Sequence, residues 1–153
     1  MSIADYLDAN KVLVEVPSRS KKQVIEELAE RMATLTGLSQ RCVLDMVMRR
    51  ERLGSTGIGG GIAIPHAVHD DLTRTIALFA VLKTPVDFDA IDGRPVDIMC
   101  LVVGPPNDET NNLKCIASAT RSLRHASTCE KLRSVTSPEA VLHCLQSIGS
   151  VAA

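Results

Sequence analysis

Apolar and polar positions recur along the chain with two different periods, and the switches between them outline most of the elements. From Lys21 onward Val24, Ile25, Leu28, Ala29 and Met32 return every three or four residues, which predicts an amphipathic helix. Ser20 and Gln23 form a capping box at its start, and Gly37 is a natural stop. A second helix opens at Ser39, carries Val43, Met46 and Val47 inward and runs toward Leu53, where Gly54 ends it. Residues 75–82 and 96–103 are apolar runs rich in β-formers, and they predict buried strands; Thr84-Pro85 and Asp92-Gly93 between them are turn signals. Leu113, Ile116, Ala117, Thr120 and Leu123 outline a third helix, and Ser127-Thr128-Cys129-Glu130 caps a short fourth. Ser137-Pro138-Glu139 opens a fifth, which buries Val141, Leu142, Leu145 and Ile148. Strands apolar on both faces, interleaved with amphipathic helices, predict one α/β layered domain over residues 1–153 with helices on both sides of its sheet. No repeat, low-complexity tract or linker interrupts it.

Composition fits that picture and removes some functions. Apolar residues make up 45% of the 153 positions and charged residues 23%, near the average for a soluble domain. A net charge of −1 gives no reason to expect nucleic acid or an anionic membrane as partner. The longest apolar runs, 76–82 and 98–103, fall far short of the ~20 residues that a bilayer crossing takes. The first residues lack the basic and apolar segments of a secretory signal. Five cysteines, an odd number with no C-x-x-C pair, sit partly inside apolar patterns. A reduced, cytoplasmic protein is the expectation.

Residues 53–67 follow neither period and hold five glycines, Ser55, Thr56, Pro65 and His66. Backbone amides approach a phosphate from several sides only where no side chain intervenes, and Gly57, Gly59, Gly60 and Gly61 permit that approach. No Gly-Lys-[Ser/Thr] follows, and the spacing lacks the third glycine of the dinucleotide fingerprint, so a lone phosphoryl group is a better candidate than a nucleotide. The plain alternative is a loop whose glycines only turn the chain. His66 favours the first view: an imidazole with an ordinary pKa of ~6.5 keeps a nitrogen free to attack phosphorus at neutral pH. Arg49, Arg50 and Arg52 offer cations nearby, or are a solvated helix end favoured by the macrodipole.

These residues also resemble a known family. RERLGSTGIGGGIAIPH, Arg50 to His66, is similar to the active-site signature of the mannitol/fructose-type enzyme IIA domains of the bacterial phosphotransferase system, and nearest to the nitrogen-regulatory kind. TPVDFDAIDGRPVD, residues 84–97, resembles the family's second block, and a proline-containing loop over 104–110 leads into a helix as expected. The resemblance implies a mixed β-sheet with helices on both faces and a phosphohistidine at His66, loaded by a histidine phosphocarrier protein. It further implies that Arg50 lies against the phosphate, that Ser55, Thr56 and the following glycines surround it, and that no metal or organic cofactor takes part. The chain is then a phosphotransferase component and not a stand-alone enzyme. One position departs: the family's second histidine, in a His-Leu pair opening the third helix, is here Asn112-Leu113. Asparagine hydrogen-bonds but does not titrate.

Rival readings are weaker. His66 and His69 with Asp70 and Asp71 resemble a metal set, but ligands three apart converge on a helix, which Pro65 and the glycines oppose. Ser55 with His66 lacks a G-x-S-x-G context for hydrolysis. Asp87, Asp89, Asp92 and Asp97 fit turns and strand ends better than an EF-hand, and His125 and His143 are expected as structural helix residues. Two alternatives remain open: a regulatory binding module that works without phosphorylation, and a transport-linked IIA component of a sugar permease. The absence of a membrane segment or fused second domain favours regulation. The regulated target is not legible in the chain.

Overall fold

The structure, a computed structural model, describes residues 2–152, with side chains through residue 147. Two short 3-10 turns, Ile3–Tyr6 and Ala9–Lys11, lead into β1 (Val12–Val16). Helices α1 (Lys21–Thr36) and α2 (Gln40–Arg52) follow and pack on each other, each opened by a serine whose hydroxyl takes a first-turn amide: Ser20 from Gln23 N–H, Ser39 from Cys42 N–H. Then come three short strands, β2 (Gly57–Gly59), β3 (Ile62–Ala63) and β4 (His66–Val68), and two long ones, β5 (Ile76–Val86) and β6 (Val96–Gly104). Helices α3 (Glu109–Leu123), α4 (Ala126–Ser134) and α5 (Pro138–Ala152) complete the chain.

The strands form one mixed sheet in the order β1-β5-β6-β3-β2, with β4 also on β6. The β1–β5 pair is parallel, β5–β6 and β2–β3 are antiparallel, and β3 and β4 run parallel to β6. Ile62 pairs with Ile98, Ala63 with Met99 and His66 with Val102, a constant register that makes β3 and β4 one strand interrupted at Ile64-Pro65. Proline lacks the N–H for a ladder, yet the Pro65 carbonyl still accepts from Val102 N–H at 2.9 Å. Side chains alternate along that strand. Ala63 and Ala67 face the core that α1 and α2 build with Met99, Leu101 and Val103. Ile62 and Ile64 face the core that α3, α4 and α5 build with Ile98, Cys100 and Val102. Alternation therefore puts His66 on the α3 face, beyond Ile64 and beside Val102.

Several expectations change. The strand beginning at Ile76 does not turn at Thr84-Pro85; it continues to Val86 through a register shift, with Lys83, Thr84 and Pro85 exposed where a proline needs no ladder partner. Helix α4 begins before Ser127, with His125 at its cap position and no side-chain cap bond. In α3 the inward face is Asn112, Cys115, Ala119 and Leu123, so Leu113 stands 55% exposed. The Ile148 side chain lies outside the described residues, whereas Val141 and Leu145 are buried. No helix among the described residues is long and apolar enough to cross a membrane.

Candidate functional site

His66 begins β4, half-buried, where β2 no longer covers the sheet edge. Its Nδ1 lies 2.9 Å from the Ile64 carbonyl oxygen. A carbonyl only accepts, so that contact requires the proton on Nδ1 and leaves Nε2 of the neutral ring with its lone pair. Proline between the two residues fixes the backbone that brings them together: it locks its own φ and holds Ile64 extended.

The 50–61 segment divides into a part bonded to the chain just before the histidine and a part bonded to the far end of β6. Thr56 accepts Ile64 N–H on its carbonyl at 3.0 Å, so the chain just before β2 runs beside the approach to His66. Arg50, in the last turn of α2, donates to the Gly54 carbonyl at 3.0 Å and curls that chain around its own guanidinium. One such bond leaves donors of the five-fold fork for an anion. Ser55 is engaged elsewhere: its hydroxyl donates to the Phe88 carbonyl at 2.6 Å and accepts Gly57 N–H at 3.0 Å. Thr56 gives both its N–H and its hydroxyl to the buried Glu51 carboxylate. Gly57 packs flat on Ala90, whose Cβ a side chain at 57 would meet at 2.8 Å.

Gly59 ends β2 with φ of +97°, and Gly60 and Gly61, with φ of +67° and +83°, make the turn to β3. Gly60 N–H donates to Asp92 at 2.9 Å, and the Gly61 carbonyl accepts from Asp97 and Ile98 at the start of β6. That is four residues before Val102, about 13 Å along the strand from His66. The structure thus does not bring Gly59 and Gly60 to the histidine; the plain alternative, glycines that turn the chain, describes them. Asp92 also accepts Arg94 N–H at 3.0 Å, and these two backbone amides, Gly60 first, hold its carboxyl below its ordinary value of 3.8.

Asn112 is buried at the start of α3, over Gly104 at the end of β6. It accepts from the Thr75 hydroxyl at 2.6 Å and donates to the Pro105 carbonyl at 2.9 Å. Gly104 lies two residues past Val102, so it stands diagonally from His66 on one face, about 8 Å between backbones. The amide is near the site and occupied with holding α3 to the strand ends. His69 caps the following turn by accepting Asp71 N–H at 3.0 Å, and His66 and His69 lie on strand and turn, not on a helix.

Two residues the sequence reading missed matter most. Glu51 shows only 2% of its side chain to solvent and pairs with Lys21 Nζ at 3.0 Å. The spacing Val43, Val47, Glu51 put it on the apolar stripe of α2, which was the available signal. Thr75, on the far side of Asn112, had none.

Fold and site together define a class: a mixed-sheet α/β protein with helices on both faces and an edge-strand histidine held in one tautomer. Within that class, the model of the "Phosphoenolpyruvate-dependent sugar phosphotransferase system, EIIA 2" family matches residues 5–148, and the chain belongs to this family. It is similar to a nitrogen regulatory protein of Bradyrhizobium diazoefficiens, 37% identical over 145 residues, 95% of each chain. The solved nitrogen regulatory protein IIA-Ntr of Neisseria meningitidis superposes with a TM-score of 0.88 at 31% identity, over 94% of this chain and 98% of that one. The mannitol IIA of Escherichia coli shares the fold, with a TM-score of 0.78 at 23% identity over 91% and 98%.

Proposed function

We propose that the protein is a phosphocarrier of the phosphotransferase system, of the regulatory kind, that accepts a phosphoryl group on Nε2 of His66 from a histidine phosphocarrier protein. The observation that carries this reading is the 2.9 Å contact between Nδ1 and the Ile64 carbonyl, which leaves Nε2 as the nucleophile. In the transfer the Nε2 lone pair forms the new N–P bond while the donor's P–N bond breaks, and that electron pair stays on the donor's nitrogen. His66 keeps its Nδ1 proton throughout. The ring gains positive charge as the bond forms, and the Ile64 carbonyl dipole already faces it. Arg50 supplies cationic donors to the equatorial oxygens, and no step calls for a metal.

A protein partner suits the surroundings. Leu53 just after α2, Val68 of β4 and Leu113 of α3, close in the chain to Arg50, His66 and Asn112, are 83%, 53% and 55% exposed. Apolar side chains left in water around a reactive group suit a docking surface. The relatives named nitrogen regulatory protein support the regulatory reading over sugar transport. Phosphorylation would then place about two negative charges at this surface and change what docks there.

The test is incubation with phosphoenolpyruvate, the general phosphotransferase enzyme and the phosphocarrier from the same source, followed by intact mass. The expected result is one acid-labile phosphoryl group on the wild type and none on a folded His66→Ala variant. A wild type that stays unmodified beside a competent donor overturns the reading and leaves a binding module on the same scaffold.

A further inference from the structure

Glu51 is a buried carboxylate that the proposed transfer does not use. Its Oε1 lies 3.0 Å from Lys21 Nζ and takes Thr56 N–H at 3.2 Å, and its Oε2 takes the Thr56 hydroxyl. Lys21 in turn sits 4.5 Å from the centre of the Phe88 ring and 3.5 Å from the Phe88 carbonyl, the same carbonyl that Ser55 binds. The start of α1, the end of α2 and the segment before β2 are thereby tied at one point. Burying such a pair is weak evidence for stability, because desolvation offsets most of the attraction. What the pair does is fix Thr56 at two atoms, its N–H and its hydroxyl.

From Thr56 the hydrogen bonds continue to the histidine. The Thr56 carbonyl accepts Ile64 N–H at 3.0 Å, and the Ile64 carbonyl accepts Nδ1–H of His66 at 2.9 Å. The Thr56 bond holds Ile64 at its N–H from the open side, and Pro65, with a fixed φ and a carbonyl that takes Val102 N–H, holds the other side of the Ile64 carbonyl that faces the ring. We infer that Glu51, paired with Lys21, is a positioning residue that acts through Thr56 and Ile64 to hold His66 in the Nδ1–H tautomer. The inference deepens the phosphocarrier reading and rests on it for its effect on rate, though not for its effect on the tautomer. Thr56, which the family resemblance places around the phosphate, is on this account a link to the imidazole.

Glutamine at 51 keeps the volume but turns one oxygen into a donor. That donor faces either Lys21 and Thr56 N–H, or a Thr56 hydroxyl that must reverse. The experiment compares wild type, Glu51→Gln, Thr56→Val and the conservative Thr56→Ser, each checked by circular dichroism and thermal melting. The 15N shifts of the neutral His66 ring in the unphosphorylated protein report the tautomer. The initial rate of phosphorylation by the phosphocarrier reports the consequence. Expected in folded Glu51→Gln and Thr56→Val are ring shifts that move toward the average of the two tautomers. Their rates fall about tenfold, the equivalent of one hydrogen bond to a charged group, while Thr56→Ser restores both readouts. Wild-type shifts in folded Glu51→Gln overturn the inference. Should Glu51→Gln fail to fold, Thr56→Val decides by the same shifts. A wild type that takes no phosphoryl group while the variants still move the tautomer ends the carrier reading and leaves the positioning role standing.

Discussion

A buried amide is costly to leave unpaired, and Asn112 serves partners at both ends, the Thr75 hydroxyl and the Pro105 carbonyl. Asn112→Ala leaves both without it and is expected to cost about 1–3 kcal/mol, read by urea unfolding. Gly104→Ala has a similar expected cost of about 1–3 kcal/mol for a different reason: its new methyl runs into the Asn112 amide oxygen, where only a glycine backbone fits. Because the two changes act on one contact, the double variant is expected to cost less than the sum, since alanine at 112 removes what the methyl strikes. Strict additivity would contradict the packing described. At this scale the sequence told part of the story. Pro65-His66 and Arg50 stood out by residue type, and Glu51 lay hidden among arginines although its spacing from Val43 and Val47 pointed inward. Thr75 carried no signal, because its partner lies 37 residues away in the chain.

Among the elements, the β2–β3 hairpin is held at its turn by side chains from elsewhere. Asp92 takes Gly60 N–H, and Arg133 of α4 reaches the Gly60 carbonyl at 3.0 Å while pairing with Asp97 at 2.8 Å. The Asp92 carboxyl titrates below 3.8 because those amides favour its charged form. A folded value below the unfolded one means a contribution fully present above the unfolded pKa and lost as pH falls through the folded one. The Gly60 amide proton shift is therefore expected to titrate with a midpoint below 3.8, and to lose that titration in Asp92→Asn. A midpoint at or above 3.8 in the wild type would contradict the hydrogen bond. Elements were legible where caps and period agreed, as in α1 and α2, and illegible where glycine diluted the period, as in β2 to β4. The bulge that lets β5 pass Pro85, and the exposed face of Leu113 in α3, were set by neighbours that no local pattern names.

For the molecule as a whole, the α/β alternation was readable because both long strands are apolar on two faces, which only helices on two sides satisfy. The site was half readable. The Thr56 carbonyl reaches Ile64 N–H two residues before the histidine, but the glycine turn lies at the far end of β6's pairing with β3, so of the phosphate contacts inferred from composition the proposal keeps only Arg50. What the sequence lacked was the register that separates the two. On the proposed function, the Ile64 carbonyl selects Nε2 as the phosphoryl-accepting atom. The most direct measurement is NMR of the phosphorylated protein with 15N-labelled histidine, which identifies the nitrogen coupled to phosphorus. Coupling at Nε2 of His66 with the Nδ1 proton retained is expected. Phosphorus on Nδ1, or on His69, His125 or His143, would contradict it.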